Sequence, residues 1–155
     1  MSLSDTNPHV RRAIEAFNDH DLDGVMAEFA EDATFNDPLL DEPAVGEEVR
    51  AYTADVLQGF PDVRLEIERV FETDGAYALE GTYVGTHDGP MEGIPPTGND
   101  VAVPTMTVID ASDEGITAWR DYWDGQAFAD QLGLTFPSIL TLLPGMAVGK
   151  LRELV

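Results

Sequence analysis

Apolar residues recur at helical spacing in the first third of the chain. Intervals of three and four residues predict a helix over residues 7–18 and, after the polar break DHDLDG, a second short helix over residues 22–29. The same spacing predicts a third helix over residues 47–58. Between the second and third helices, ATFNDP at residues 33–38 predicts a short strand that ends at the proline. This part of the chain is therefore expected to be mainly helical.

From residue 63 onward apolar and polar residues alternate instead, which is typical of half-buried antiparallel strands. Two turn signals and a long loop at residues 86–100 divide this region into four strands in meander order: VRLEIERVFET, AYALEGTYVG, VAVPTMTVID and ITAWRDYWD. Helices followed by strands predict an α+β fold, with a curled antiparallel sheet packed on three N-terminal helices. Such a sheet would enclose a cone-shaped cavity open at one end.

The length of the chain suits one domain. With 155 residues, 43% of them hydrophobic, it can bury a sizeable core, so we predict a single domain over residues 1–155. The segment after Leu132 is apolar and carries glycine and proline in its middle, which predicts a C-terminal apolar extension at about residues 135–155. We expect a short terminal helix there, packed on the domain or on a second subunit; a mobile lid over the cavity is the alternative.

The net charge of the chain limits the kinds of partner that it can bind. Thirty acidic residues against eight basic ones give a formal net charge of −22, which would repel nucleic acid and an anionic membrane surface. Lysine occurs once, at Lys150, and we interpret the acidic excess as adaptation to high salt, the alternative being a moderately acidic protein of an ordinary cytoplasm. The first residues lack a signal-peptide core and no stretch approaches about 20 apolar residues, so a cytoplasmic location is expected.

The inventory of reactive side chains is short. The chain has no cysteine, and its three histidines are too dispersed to predict a metal site. It also lacks a G-x-S-x-G element, a P-loop and a G-x-G-x-x-G element, so neither a serine nucleophile nor a nucleotide cofactor is expected. What remains is acid/base chemistry by a carboxylate, whose pKa an apolar, aromatic-lined pocket would raise towards neutrality.

Alternation along the last strand separates two aspartates in the segment ITAWRDYWDGQAF. If the strand is extended, Thr117, Trp119, Asp121 and Trp123 lie on one face. Asp121, with a tryptophan two residues away on either side, is the candidate catalytic residue; an exposed acid or the partner of an arginine is the alternative. Asp124 immediately precedes an apparent helix and is predicted to cap it.

A few further residues could contact a substrate. Asn36 and Asp37 precede a proline, where Asn and Asp most often stabilise turns. His87 stands at the end of a predicted strand, at the mouth of the long loop. The candidate substrate-binding set is Asn36, Asp37, Tyr83, Trp119 and Trp123.

Three segments resemble a known family. GTHDGPMEGIPPTGNDV, at residues 85–101, closely resembles the G-x-H-x-G and I-P-P-T-G signature of SnoaL-like polyketide cyclases, members of the nuclear transport factor 2-like superfamily with its cystatin-like fold. ITAWRDYWDGQAFADQLG is similar to the family's final strand and helix, and AFNDHDLDGVMAEFAEDATFNDP to its helical first half. The resemblance spans roughly residues 7–134.

This resemblance implies a curled-sheet cone, a deep apolar pocket and frequent dimerisation, so a homodimer is expected. In the family's cyclases an aspartate on the late strand is the acid/base in a cofactor-free intramolecular aldol ring closure, and a histidine before it helps to hold the substrate. By motif these roles fall on Asp121 and His87.

The leading hypothesis is a cofactor-free cyclase or isomerase of a small, largely apolar carbonyl compound. Asp121 would remove an α-proton, and His87 and Asn36 would donate hydrogen bonds to the developing oxyanion. One alternative is the same cone binding a small ligand without turnover. Another is an epoxide hydrolase, because WRDYWD also resembles limonene epoxide hydrolases; however, YALEGTYVG supplies no arginine followed by aspartate, and Thr34 stands where a tyrosine is expected.

Overall fold

A computed structural model describes residues 1–134, which form a curled six-stranded sheet with helices packed against it. A 3-10 turn at Leu3–Asp5 precedes the helices and strands. In chain order these are α1 (Pro8–Asn18), α2 (Leu22–Met26), β1 (Phe29–Asn36), β2 (Ala44–Val45), α3 (Glu47–Gly59), β3 (Arg64–Thr73), β4 (Ala76–Thr86), β5 (Asp100–Ser112), β6 (Gly115–Trp123) and α4 (Gly125–Leu132). The predicted extension at residues 135–155 lies outside the described residues, and the single domain over the whole chain stays a prediction.

The helix predictions are confirmed for α1 and α3, whereas the second helix is shorter than predicted. It ends at Met26, and Phe29, expected in its last turn, begins β1. The backbone N–H of Ile116 donates to the carbonyl of Glu28, and the Phe29 ring stacks on Trp119 with centroids 6.0 Å apart. Strand pairing with a distant segment therefore overrides the local helical spacing, and β1 starts earlier than ATFNDP suggested.

The sheet has the order β2-β1-β6-β5-β4-β3. The meander from β3 to β6 is confirmed, since each of these strands pairs antiparallel with the next. The prediction of a purely antiparallel sheet is wrong: β1 runs parallel to β6, so the sheet is mixed. The relative direction of two strands separated by α3 and four further strands is set by the path of the chain, which alternation does not report.

A register shift between Phe29 and Thr34 interrupts the pairing of β1 with β6. Two bulges interrupt the strands of the meander and favour curling. One lies in β3 between Ile67 and Arg69, opposite Gly81, where a Cβ would stand 2.3 Å from the carbonyl oxygen of Glu66. The other lies in β6, where Asp110 pairs with Ala118 but Ala111 pairs with Ile116. The extra residue is Thr117, which is exposed, so its predicted place on the inner face is wrong.

The core is made of two clusters. One packs α1 on the middle of the sheet: Val10, Ala13, Ile14, Leu65, Val70, Tyr77, Leu79, Ile109, Ile116 and Trp119. The other lies around the end of α3, the loop after β4 and α4: Phe60, Val63, Met91, Ile94, Val101, Val103, Leu132 and Leu134. No helix within residues 1–134 is long and apolar enough to cross a membrane.

Candidate active site

An apolar cavity of about 100 Å³ takes its walls from both core clusters. Nine aromatic side chains line it: Phe17, Phe29, Phe35, Tyr52, Phe60, Tyr83, Trp119, Trp123 and Phe128. Two carboxyl groups, Asp37 and Asp121, face the same space, and none of the described lining residues is basic. The cavity therefore combines apolar walls with two acids.

Asp121 projects from β6 into this cavity, and its residue surface is only 6% exposed. Its Oδ1 accepts hydrogen bonds from the Thr107 hydroxyl at 2.5 Å and the Trp119 indole N–H at 3.0 Å. Its Oδ2 accepts one from the Tyr83 hydroxyl at 3.0 Å. Three neighbouring strands thus fix the carboxyl group in one orientation.

Burial raises the pKa of Asp121 to about 7, against an ordinary value of 3.8. The three hydrogen bonds favour the carboxylate and act in the opposite direction, while the nearby Asp37 carboxylate raises the pKa further. Because desolvation is the largest effect, the group can both accept and donate a proton near neutral pH. This is the property that the sequence predicted for an aspartate between tryptophans.

Asp37 directly follows β1 and enters the cavity beside Asp121. In the parallel register Asn36 pairs with Arg120, and one residue further along each chain segment lie Asp37 and Asp121. The Asp37 Oδ1 accepts from the Leu39 backbone N–H at 2.8 Å, and Oδ2 accepts from the Tyr52 hydroxyl at 2.5 Å. Asp37 therefore stabilises the turn after β1 and also lines the cavity; the sequence had left these two roles open.

The pKa of Asp37 is also raised, chiefly by desolvation, although the Tyr52 hydroxyl and the backbone N–H groups of Leu39 and Leu40 oppose the shift. Glu92 adds a smaller raising effect. The pKa values of Tyr52 and Tyr83 are raised too, by burial first and then by the neighbouring carboxylates. Both tyrosines consequently remain protonated and can donate hydrogen bonds.

The two tryptophans lie where alternation placed them. Trp119 and Trp123 both line the cavity together with Asp121, while the intervening Tyr122 is 57% exposed. Asp124 accepts from the backbone N–H groups of Gln126 and Ala127 at the start of α4, which confirms its predicted role as a cap. The structure therefore separates the two aspartates as the sequence did.

Asn36 is not among the residues that line the cavity. Its neighbours Phe35 and Asp37 both line it, so alternation directs the Asn36 side chain to the other face of β1. The Oδ1 atom of Asn36 is buried and has no hydrogen-bond partner within the described residues. The geometry does not favour the predicted contact of Asn36 with a substrate.

His87 is 1% exposed and is likewise absent from the cavity wall. Its ring stacks on Phe60, a lining residue, with centroids 5.1 Å apart. The Thr97 backbone N–H donates to His87 Nδ1 at 3.2 Å, so in the neutral ring the proton lies on Nε2; burial lowers the pKa of His87 and favours that neutral form. His87 thus ties the loop after β4 together and supports the wall from behind.

The structure also explains why the same motif has glycine at position 89. The Gly89 backbone N–H donates to the carbonyl of Gly59, and a Cβ on Gly89 would stand 2.0 Å from the Gln58 carbonyl oxygen. The loop therefore meets the end of α3 at a distance that only glycine permits. Met91, from this loop, completes the cavity wall.

Sequence reasoning missed two residues of the site, Tyr52 and Thr107. Helical spacing places Tyr52 on the buried side of α3, but nothing local pairs it with Asp37, fifteen positions away. Thr107 is fully buried directly opposite Asp121 on the neighbouring strand. Only the register of β5 and β6 identifies it. Among residues 1–134 no three or more histidine, aspartate or glutamate side chains come together as a metal site.

Comparison with known proteins places this geometry in a family context. A family model described as SnoaL-like polyketide cyclase matches residues 8–132. Comparison with the curated proteins gave no significant match.

Several solved structures are similar. AclR of Streptomyces galilaeus, a suggested hydroxylase, is 22% identical with a TM-score of 0.73, covering 86% of this chain and 99% of that one. A suggested polyketide cyclase of Silicibacter sp. TM1040 is 25% identical with a TM-score of 0.71, covering 83% and 93%. A protein of Catenulispora acidiphila with a ketosteroid isomerase-like fold, solved in complex with trimethylamine, is 23% identical with a TM-score of 0.69, covering 84% and 95%. The fold is therefore that of the nuclear transport factor 2-like and ketosteroid isomerase-like proteins.

Proposed function

The chain belongs to the SnoaL-like polyketide cyclase family, and we propose that it catalyses proton transfer on a small, largely apolar carbonyl compound without a cofactor. Asp121 is the acid/base residue. Proton transfer at the carbon next to the carbonyl yields an enol or enolate, which either closes a ring by aldol addition or is reprotonated as an isomer.

The observation that carries the proposal is a buried carboxyl group with a pKa of about 7 at the wall of an apolar, aromatic cavity. A general acid/base works best when its pKa lies near the working pH, because both protonation states are then populated. Strongly perturbed carboxyl groups in clefts are often functional. Asp121 meets both conditions, and three donors hold it in place.

Stabilisation of the enolate oxygen requires hydrogen-bond donors in the cavity. Tyr52 and Tyr83 line it, and their raised pKa values keep their hydroxyls protonated. Each hydroxyl donates its one proton to Asp37 or Asp121, so it can serve an enolate oxygen only by turning away from that carboxyl group. We assign them the supporting part that the sequence gave to Asn36 and His87, because neither of those side chains lines the cavity.

The cavity also restricts the substrate. A volume of about 100 Å³ is of the order of an engineered cavity of ~150 Å³ that binds benzene, which suits a compound of one ring. Two carboxyl groups and no described basic lining residue disfavour an anionic substrate. A neutral cyclic ketone fits these conditions.

Conversion of cyclohex-3-en-1-one into its conjugated isomer, followed by ultraviolet absorbance, tests the proposal. Asp121→Asn should lower kcat on the order of 10²-fold, because the amide cannot exchange the proton. Asp32→Asn is the matched control, since Asp32 is an exposed residue of β1 and its replacement removes one negative charge outside the cavity. This control should retain the wild-type rate.

Mass spectrometry of small molecules that co-purify with the protein, together with a binding screen of neutral ketones, gives a second measurement. Failure to turn over any single-ring unsaturated ketone, combined with no bound carbonyl compound, would contradict the proposal. Carbonyl compounds that bind tightly without turnover would favour the ligand-binding alternative. The homodimer and the cytoplasmic location stay predictions from the sequence.

A further inference from the structure

Asp37 and Asp121 form a pair of carboxyl groups at one cavity. The parallel register of β1 and β6 brings them to the same level of neighbouring strands, which lie about 4.8 Å apart in a sheet. Each carboxyl group accepts a hydrogen bond from its own tyrosine, Asp37 from Tyr52 and Asp121 from Tyr83. Two acid–tyrosine pairs therefore face one small space.

Within residues 1–134 no positive side chain lines the cavity beside this pair. The described lining residues include no arginine, lysine or histidine, and the titratable groups acting on the pair are Tyr52, Tyr83 and the more distant Glu92. Each carboxylate raises the pKa of its surroundings: Asp37 acts on Asp121 and Tyr83, and Asp121 acts on Tyr52. Two like charges in a dry site cannot both ionise cheaply, so such pairs retain one proton over a range of pH.

The surroundings of the two groups differ. Asp121 lies deeper, among Thr107, Trp119 and Tyr83 in the centre of the sheet, and burial there raises its pKa to about 7. Asp37 lies at the end of β1, where the Leu39 backbone N–H, a fixed donor, favours its charged form. Environments that differ in this way assign different parts to two carboxyl groups.

We propose that Asp37 is a second catalytic residue of this site and that it shares one proton with Asp121, Asp37 acting as the base while neutral Asp121 acts as the acid. This inference rests on the proposed function and assigns the direction of proton transfer within it. It also gives a function to a carboxylate at the end of β1, in a cavity whose other lining residues apart from Asp121 are mainly apolar.

The step balances within the pair. The Asp37 carboxylate removes a proton from the carbon next to the carbonyl, and the electrons of the C–H bond form the carbon–carbon double bond of an enol. Asp121 gives its proton to the carbonyl oxygen and becomes the carboxylate. With a β,γ-unsaturated ketone this enol is a dienol. Asp37 then gives the proton to its γ carbon, the double bonds shift into conjugation, and the oxygen proton returns to Asp121, which restores both groups and completes the isomerisation.

Coupling between the two carboxyl groups can be tested without any substrate. The protein is labelled with aspartate that carries 13C at the side-chain carboxyl carbon, and these carbons are titrated by NMR. Asp37→Asn and Asp121→Asn assign the two signals. In the wild type each signal should follow two steps, because each group senses ionisation of the other. The pKa of Asp121 should fall in Asp37→Asn and stay unchanged in the control Asp32→Asn. Independent single titrations, or an Asp121 pKa unaffected by Asp37→Asn, would overturn the pair.

Kinetics with cyclohex-3-en-1-one test the roles. The rate of the wild type should show a bell-shaped dependence on pH, falling below the pKa of Asp37 and above that of Asp121. Asp37→Asn should lower kcat on the order of 10²-fold and abolish the acidic limb, whereas Asp121→Asn should abolish the alkaline limb. The double variant should be little slower than either single one, since the residues act as a unit.

The outcomes separate this inference from the proposed function. Asp37→Asn with a reduced rate but both limbs intact would make Asp37 a positioning residue and overturn its catalytic role. Coupled NMR titrations in a protein that turns over no ketone would uphold the shared proton but reject the proposed function and the catalytic roles that depend on it. If Asp37→Asn does not fold, the wild-type signals still show, by titrating in two steps or in one, whether the two carboxyl groups are coupled.

Discussion

Asp121 illustrates at the scale of one residue how burial outweighs hydrogen bonding. Three donors favour its charged form, yet its pKa is about 7 because the aromatic walls exclude water. A group held in this state opposes folding as the pH rises. The environment that raises the pKa of Asp121, and so suits it to the proposed acid/base role, therefore has a cost in stability.

The sign of this effect follows from linkage. The pKa of Asp121 is higher in the folded protein, about 7, than the ordinary 3.8, so the folded state binds the proton more tightly. Its stabilising effect is complete below about pH 4 and is lost as the pH rises to about 7. Asp121→Asn does not titrate, so its free energy of unfolding should rise relative to that of the wild type by about 1.4 kcal/mol per pH unit between pH 5 and pH 6. The slope should fall to about half of that near pH 7, where the folded group is half ionised.

Urea unfolding at several pH values measures that difference. Asp32→Asn, which removes a charge from an exposed position, should run parallel to the wild type over the same range. A difference between Asp121→Asn and the wild type that does not change with pH would show that the fold leaves the carboxyl group solvated.

Asn36 and Asp37 show what a local motif can and cannot predict at this scale. TFNDP predicts both a turn and a possible site, and the Leu39 N–H bond to Asp37 confirms the turn. Alternation assigns the two side chains to opposite faces of β1, but which face meets the cavity depends on the pairing of β1 with β6. The residue that enters the cavity, Asp37, could not be chosen from the motif alone.

At the scale of elements, α4 closes one side of the cavity with Phe128. The Phe128 ring packs edge-on against Trp123, with the ring centroids 5.2 Å apart. The helix is only eight residues long, and it begins at the cap Asp124 and ends before Gly133, which has a positive φ of 75°. So short a helix depends on its caps and its packing rather than on its own propensity.

Asp124→Ala should therefore lower the free energy of unfolding by about 1 kcal/mol, since the N–H groups of Gln126 and Ala127 lose their acceptor. Asp124→Asn retains a side-chain acceptor and should stay close to the wild type. Chemical denaturation of both variants provides the measurement. Equal loss in the two would show that the charge, and not the cap, is what α4 requires.

The loop after β4 is an element whose signature residues have a structural explanation. His87 accepts from the Thr97 N–H, and Gly89 allows contact with the end of α3. A resemblance carried by these residues therefore predicts the fold better than it predicts the catalytic groups. The part that the resemblance gave to His87 has no counterpart in the cavity wall, because Phe60 stands there instead.

At the scale of the whole molecule, negative charge is largely uncompensated. Each of the six arginines in residues 1–134 pairs with a carboxylate, yet the chain has thirty acidic residues. Self-repulsion of a net charge of −22 opposes the compact state, and dissolved salt screens it over about 10 Å at 0.1 M and about 3 Å at 1 M.

The melting temperature should consequently rise between 0.1 M and 2 M NaCl at pH 7, as measured by circular dichroism. The rise should shrink as the pH approaches the isoelectric point near 4.1, where protonation removes the repulsion. A melting temperature that falls or stays constant with salt at pH 7 would reject the interpretation of the composition as adaptation to high salt.

The sequence by itself determined the features that depend on near neighbours. The extents of α1 and α3, the meander of β3 to β6, the cap at Asp124 and the common face of Trp119, Asp121 and Trp123 all follow from periodicities of a few residues, which the backbone geometry of helices and strands imposes.

The tertiary structure alone decided what depends on residues far apart in the chain. The parallel pairing of β1 with β6 brings Asp37 to Asp121, the register of β5 places Thr107 opposite Asp121, and α3 supplies Tyr52. The pKa of Asp121, about 7, also depends on residues far apart in the chain, because side chains from every wall of the cavity add to its desolvation. Local patterns carry no information on such sums, so a candidate base could be predicted but not its partner.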